Sequence, residues 1–378
     1  MKAKNIGRST SGRDRLLSVS TIFIIALVLS SFQKNDPVRF YKGNLHTHSY
    51  WSDGNTFPEE VTRWYRDHGY QFLAITDHNL LQEGRKTKVI GKDTVVLREL
   101  SKFRSEFEKP GEFLLLKAEE ISDSSEKRPV HLNGFNLNQV VKPTGGATVE
   151  ECTIADFKAI HKALESSGNA EWITINHPNF GWGLTADALA HSGSRFFEVY
   201  NGHPSVRNYG DSTHIGTEMM WDIANKWRMD HGEKLLLGIA TDDAHQYDKY
   251  EIGKANPGRG WTMVRASELT PAALYQAMLA GNFYASTGVE LIDFQSSKKG
   301  ISIRIKGKKG VNYTTEFIGW LKGKDQPQIL KTVNGTKASY RLNGKELFVR
   351  ARILSDKAKE NPFAKGDLEM AWVQPVGE

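Results

Sequence analysis

Between Val38 and Thr241, short apolar runs alternate with amphipathic stretches, and run after run stops at a histidine or a carboxylate. Val38-Arg39-Phe40-Tyr41 leads into Gly43-Asn44-Leu45-His46-Thr47-His48-Ser49, and Gln71–Thr76 stops at Asp77-His78. Phe113–Ala118 stops at Glu119-Glu120, Trp172–Ile175 at Asn176-His177, and Leu235–Thr241 at Asp242-Asp243-Ala244-His245. Two more such runs are Val130–Phe135 and Phe196–Tyr200. Between them, Pro58–His68 has Pro and acids in its first turn and Gly69 after it, the start and stop signals of a helix. Glu218–Trp227 reads as another. Continuous apolar strands alternating with helices predict an α/β protein with a mostly parallel sheet covered on both faces. So many such units predict a closed or nearly closed barrel. Barrel strands bring their C-terminal ends to one rim, so the residues that end these runs are expected to meet.

The residues that would meet are suited to metal. His46 and His48 sit at i and i+2 on a strand, as do Asp243 and His245, so each pair points to one face. In chain order the candidates are His46, His48, Asp53, Asp77, His78, Glu120, His131, His177, Glu198, Asp243 and His245. Imidazoles and carboxylates without thiolates suit Zn, Mn or Fe(II). The set exceeds what one tetrahedral ion needs, so two or three divalent ions are expected. Glu119 competes with Glu120, and Asp242 with Asp243. The lone Cys152 cannot form an intramolecular disulfide and reads as a small buried apolar group.

The formal charge of +6 is concentrated at the N-terminus, where residues 1–36 carry six Lys/Arg against two acids. The remaining near-neutral chain, with no basic stripe interleaved with aromatics, argues against a nucleic-acid partner. A basic tract ending at Arg15 precedes the apolar run Val19–Leu29 and the small residues Ser30 and Ser31. That run falls short of the roughly 20 residues of a membrane span and suits an export signal. The protein is therefore expected to be exported, periplasmic or extracellular, touching a membrane only if residues 16–32 stay attached as an anchor. After Val289 the texture changes to alternating segments such as Ile301–Ile305 and Leu347–Ile353, separated by turns such as Asn334-Gly335 and Asn343-Gly344. This predicts an antiparallel β-sandwich over 291–378, following a metallohydrolase domain over 37–290. The stretch from Leu81 to Pro110 reads as an insertion, a lid or a helical decoration.

The motifs N-L-H-T-H-S-x-x-S-D-G, I-T-D-H-N, E-I-S, V-H-L-N-G-F, N-H-P, E-V-Y-N-G and T-D-D-A-H, in this order, resemble the PHP (polymerase and histidinol phosphatase) domain over roughly residues 38–290. The resemblance implies a distorted β/α barrel of the PHP type. It implies a first ion shared by His46, His48, Glu120 and Asp243. Glu120 would bridge to a second ion held by His131 and His177, and Asp53, His78 and His245 would hold a third. Asp53 stands where many members of the family carry His. The later segments Asn208–Asp211, Trp221-Asp222, Gly260-Trp261 and Phe283–Gly288 resemble a secreted branch that includes relatives of carbaryl hydrolase.

The expected activity is that of a multinuclear metal-dependent hydrolase on a small-molecule ester, foremost a phosphoesterase. Two cations sharing a water lower its pKa and supply a hydroxide near neutral pH. Asp77, His177 and Arg259 are the expected catalytic residues. Asp77 would orient a ligand or water, and Arg259 would bind phosphate, with Arg195 and Arg207 as rivals. The same site hydrolysing a carboxylic ester, carbamate or amide is the alternative. A non-catalytic exported protein binding metal or glycan is the second. Trp51, Phe180 and Trp182 are candidates for the pocket wall, whereas Trp221, Trp261 and Tyr284 are expected in the core.

Overall fold

A computed structural model describes residues 38–170 and 172–377. The segment read as an export signal lies outside them. No helix among the described residues is long and apolar enough to cross a membrane.

The expected runs form strands. In order come β1 (Arg39–Asn44), α1 (Pro58–Asp67) and β2 (Phe72–Ile75). The 81–110 insertion is a hairpin, β3 (Thr87–Ile90) and β4 (Asp93–Val96), followed by α2 (Leu100–Phe107). Then follow β5 (Leu114–Ser125), β6 (Arg128–Phe135), α3 (Val149–Ser166), β7 (Ile173–Ile175) and α4 (Ala186–His191). This half closes with β8 (Phe196–Asn201), α5 (Thr217–Asp230) and β9 (Leu237–Thr241). Thr148 and Thr185 cap α3 and α4 by accepting the N–H of Glu151 and Ala188, which satisfies a donor that each first turn leaves unpaired.

The pairs β1–β2, β2–β5, β7–β8 and β8–β9 are parallel, and β6 runs antiparallel to both β5 and β7. The strands curl into a ring that closes only at its rim. There Thr47 and Ala244 form a parallel bridge, with the His48 N–H donating to the Ala244 carbonyl (2.9 Å) and the Asp243 N–H to the His46 carbonyl (3.0 Å). Below the rim, β10 (Trp261–Ala266) takes the free edge of β1. It meets β9 through a side chain, Thr262 Oγ1 donating to the Ala240 carbonyl (3.1 Å). The ring is thus splayed at its base and tied at the end that carries the histidines.

After α6 (Pro271–Leu279) and β11 (Phe283–Ser286), the chain forms β12 (Leu291–Ser297), β13 (Gly300–Ile305), β14 (Tyr313–Leu321), β15 (Gln328–Asn334), β16 (Lys337–Arg341), β17 (Glu346–Ala358) and β18 (Leu368–Gly377). Strands β12, β13 and β16 make a small sheet. It packs on the other C-terminal strands through Phe294, Ile301, Ile303, Phe317, Val349 and Ile353, as the alternation of apolar and polar residues requires of two faced sheets. The larger sheet does not stop at residue 290, because β18 pairs with β11 and the order β15-β14-β17-β18-β11-β10-β1 is continuous. A buried ionic clasp joins α5 to this sheet. Arg350 is bidentate on Asp222 (2.7 and 2.8 Å) and reaches Glu218 (2.7 Å), while Arg352 bonds Glu218 and Glu316. Trp221 and Tyr284 are fully buried as expected, and Trp261 is half-buried.

Candidate active site

All the sequence-assigned ligands converge on the tied rim. His48, Asp53, His78 and His245 form one group, His46, His48 and Asp243 a second, and His46, Glu120 and His177 a third. Within each group one ligand atom per residue lies within 4.8 Å of the others. His131 joins through Nδ1, 3.1 Å from Glu120 Oε1, the oxygen that also lies 3.1 Å from His177 Nε2. Alternation along β5 separates Glu119 from Glu120, whereas Asp242 and Asp243 lie past the end of β9. Glu120 faces the histidines, while Glu119 turns away to accept the Val141 N–H, and burial pushes its carboxyl up to about 7. Asp243 faces the site. Asp242 is spent on the N–H groups of Gly258, Arg259 and Gly260 and on the Tyr65 hydroxyl.

Hydrogen bonds fix the imidazole tautomers. Glu198 accepts from His177 N–H, Asn201 Nδ2 and Thr241 Oγ1, so it is an ionised acceptor, and His46 Nδ1 must donate to it (2.7 Å). In the neutral imidazole, the form that binds a cation, that leaves the lone pair on His46 Nε2. The Ser52 hydroxyl gives its one proton to Asp77 (2.6 Å), so toward His48 Nδ1 (3.3 Å) it accepts. His48 Nε2 is then free, 3.2 Å from Asp243 and 3.4 Å from Glu120. His245 Nδ1 donates to the Asp243 carbonyl (2.9 Å), freeing Nε2 toward Asp53 (3.3 Å).

Three buried atoms in the middle of this array, His46 Nε2, His48 Nε2 and Glu120 Oε2, have no hydrogen-bond partner. An orphaned polar atom in a protein interior costs about 1–3 kcal/mol, more if charged. Lone pairs facing one another across 3.2–3.4 Å fit divalent cations, and the N/O donor set matches hard-to-borderline ions. The charges pull in opposite directions. Burial presses His46 down, but Asp243, Glu120 and Glu198 override it and hold it well above its usual value. Burial and the cationic forms of His245 and His78 press His48 down to about 4. Burial would raise Glu120, yet His46, His78 and His131 keep it well below the carboxylate range.

The backbone is shaped to the purpose. Asp243 sits at φ 50° and Asn79 at φ 55°, the left-handed region that Asp and Asn tolerate best and that clusters at functional sites. Gly54 is required by close approach, because a Cβ there would lie 2.6 Å from the His48 carbonyl.

Of the expected catalytic residues, His177 lies in the cluster. Asp77 lies behind it, accepting from Ser49 N–H and Oγ, Ser52 N–H and Oγ, and Gln82 Nε2. It acts on His48 through Ser52. Arg259 does not reach the site. It is fully buried, and its guanidinium is occupied by the carbonyls of Gly202, Lys254 and Glu251 and by the Asn256 and Asn361 side chains. The expectation of a phosphate contact fails because both terminal nitrogens are taken by these partners and Nε is buried. Arg195 sits at the opposite end of β8 on the Leu235 carbonyl, whereas exposed Arg207 lies over the Trp182 ring (4.9 Å). Trp51 is buried, its Nε1 donating to the Arg98 carbonyl, so it anchors the 81–110 insertion. Phe180 is beside the cluster, 5.1 Å from the His177 ring.

Sequence reading missed His203, Asn201 and Asn176. Asn176 Nδ2 donates to Glu120 (2.8 Å), and Asn201 Nδ2 to Glu198 (2.8 Å) and Asp243 (3.1 Å). His203 lies at the rim, 5.4 Å ring to ring from His245. Burial, opposed by Asp243 but aided by His245, presses it down to about 4. The signal available was the N-G-H tripeptide directly after β8.

No protein-family model matches the chain. It is 34% identical over 236 residues to the DNA polymerase/3'-5' exonuclease PolX of Bacillus subtilis, covering 58% of this chain and 38% of that protein's length. In structure it is similar to a two-domain protein from Bacteroides vulgatus described as containing a predicted PHP-like metal-dependent phosphoesterase (TM-score 0.45, 17% identity, 89% of this chain and 95% of that one). It is also similar to an amidohydrolase from Chromobacterium violaceum (TM-score 0.30, 16% identity, 55% of this chain and 88% of that one). The motifs that resemble the PHP domain lie in order along the sequence, and their histidine and carboxylate side chains gather at one tied rim.

Proposed function

We propose that the chain is a metal-dependent phosphoesterase acting on small phosphate esters through two or three divalent ions. The observation that carries this reading is the convergence of orphaned His46 Nε2, His48 Nε2 and Glu120 Oε2 at the centre of a histidine–carboxylate cluster. Divalent ions bound there would activate water at neutral pH and neutralise charge on phosphoryl oxygens. His46, His48, Glu120 and Asp243 would hold the first, Glu120 with His131 and His177 the second, and Asp53, His78 and His245 the third. The chain's own work is positional. Glu198 and the Asp77–Ser52 pair hold His46 and His48 in the ligating tautomer, and Asn176 and Asn201 fix the carboxylates of Glu120 and Asp243.

A second reading is a carboxylic-ester, carbamate or amide hydrolase using the same groups. It is favoured by the likeness of later segments to the carbaryl-hydrolase branch and by Phe180, an aromatic ring beside His177. Export through the N-terminal segment and the lack of a nucleic-acid partner are part of the proposal.

The test loads the full chain with Mn, Zn or Fe(II) and measures p-nitrophenol release from phosphate esters and a carboxylic ester side by side. His46→Ala and His177→Ala are the controls. Phosphate-ester turnover that both variants lose is expected. Turnover of the carboxylic ester alone moves the protein to the second reading. Full activity of the chelated protein overturns both.

A further inference from the structure

His203 has a fixed orientation, and its place in the reaction is open. Its own N–H donates to Asn201 Oδ1 (2.8 Å), and the same Asn201 bonds Glu198 and Asp243 through Nδ2. One side chain therefore ties the His203 backbone to two carboxylates of the cluster. Its ring is fixed by a second bond, from the Ser205 N–H to Nδ1 (3.1 Å). A backbone N–H can only donate, so Nδ1 is the acceptor, and the proton of the neutral imidazole resides on Nε2. Among the described residues no acceptor is placed against Nε2, and that atom is not among the solvent-excluded ones.

The ring stands at the edge of the cluster, between His245 and Phe180. It lies 5.4 Å from His245 on one side and 6.0 Å from Phe180 on the other, and Phe180 in turn lies 5.1 Å from His177 and 6.2 Å from His131. A group bound over the cluster, between the His245 end and the His131–His177 end, would lie beside this ring, whose Nε2–H is unpaired. The ligating histidines present lone pairs inward, whereas His203 presents a proton.

We propose that His203 is a substrate-contact residue whose Nε2–H donates a hydrogen bond to a non-bridging oxygen of the ester undergoing hydrolysis. A preorganised donor of this kind stabilises charge that develops on that oxygen. The inference rests on the reading of the rim as an ester-hydrolase site, and its tests separate the two.

The first measurement is nitrogen-15 NMR of the histidine tautomers in the full chain without added metal, with His203→Ala used to assign the resonance. A protonated Nε2 and bare Nδ1 are expected. A protonated Nδ1 overturns the proposal whatever the enzyme hydrolyses. The second compares His203→Ala and His203→Gln with the wild type on whichever ester the wild type turns over, with bound metal counted in each protein. His203→Ala is expected to lose about 10²-fold in kcat/KM, the effect of removing one such donor, with unchanged metal content. The Gln amide should restore at least about tenfold. An Ala variant within threefold of wild type, or one that loses its metal, overturns the proposal. A wild type that cleaves only carboxylic esters overturns the phosphoesterase reading and leaves the donor to be judged on that ester. A wild type that turns over neither ester removes the hydrolase reading and this proposal with it.

Discussion

Two buried assemblies of charge, the clasp on α5 and the histidine rim, are built on opposite rules. In the clasp, every charge meets its complement. Arg350 forks onto Asp222, the second acid Glu218 is shared with Arg352, and Arg352 reaches Glu316. At the rim, histidines crowd two carboxylates, and the inward-facing atoms of His46, His48 and Glu120 have no hydrogen-bond partner. The clasp is complete as protein. The rim leaves donor atoms unpaired, and the surrounding bonds from Glu198, Ser52 and Asn176 hold them in place. A satisfied buried network reads as architecture, and an orphaned one with ordered supports reads as a binding site.

Removing the central acid gives the largest expected effect. Glu120→Gln keeps the shape and withdraws the charge that His46, His48, His131 and His177 share. Turnover should fall about 10³-fold, the several kcal/mol that bound cations supply to charge stabilisation. Bound metal, counted by elemental analysis, should fall with it, while circular dichroism stays unchanged. A Gln variant with full metal content and activity would show that the orphaned atoms are not ligands.

The clasp should respond in the other currency, stability. Arg350→Met strands Asp222 and half of Glu218 in the interior, a loss of about 3–5 kcal/mol. Chemical denaturation measures it. Arg350→Met with Asp222→Leu should recover most of that loss, because a buried pair replaced by apolar groups is often neutral. Turnover per folded molecule should not change in either protein. A fall in turnover per folded molecule would couple the two assemblies and break the comparison.

Between these stands a residue that serves the rim from behind. Asp77→Ala leaves Ser52 without its acceptor, so the hydroxyl can turn its proton to His48 Nδ1 and favour the wrong tautomer. Metal affinity or activity should drop about 10–100-fold, as for outer-shell partners generally. Isothermal titration with Zn checks this, and unchanged affinity would reduce Asp77 to a loop anchor.

What was legible in the sequence was what local pattern determines. Most of the clustered residues were readable because they follow apolar runs, and the His46/His48 and Asp243/His245 pairs flank the bridged residues Thr47 and Ala244 just past β1 and β9. The preference for Glu120 over Glu119 rested on the Glu-Ile-Ser pattern, and that for Asp243 over Asp242 on the D-x-H spacing. The reversal of β6 was not readable. Its turn, Glu126-Lys127, has both residues at positive φ (51° and 61°), a conformation usually signalled by Asn-Gly. Arg259 was misassigned because an arginine near a rim motif looks like an anion donor until its carbonyl partners, brought by distant loops, are known. His203 and Asn201 were missed for the same reason, since no spacing in the chain foretells which amide will face a carboxylate across the ring. The strand pattern changes near 290, but the pairing of β18 with β11 that carries the sheet across that point is non-local.

Lys42 tests the rule on a single charge that belongs to neither assembly. Its ammonium lies over the rings of Tyr70 (3.8 Å) and Trp261 (4.1 Å), and among the described residues no carboxylate is within ion-pair distance of it. Burial pulls it from 10.5 down to about 8, against the weaker pull of Asp242 and Glu290. Between pH 8 and 10.5 the unfolded chain therefore holds a proton that the folded one has lost, so this group makes stability rise with pH across that window. Below pH 8 both states are protonated and the burial cost is present in full. Lys42→Met removes that cost and forfeits the cation–π contacts, themselves about 0.5–2 kcal/mol. The variant should be more stable than wild type at pH 7 by on the order of 1 kcal/mol. The advantage should shrink toward pH 10.5, read from denaturation midpoints at the two pH values. A variant less stable at pH 7 would mean that the two rings alone satisfy the ammonium, and that an unpaired buried charge here is architecture after all.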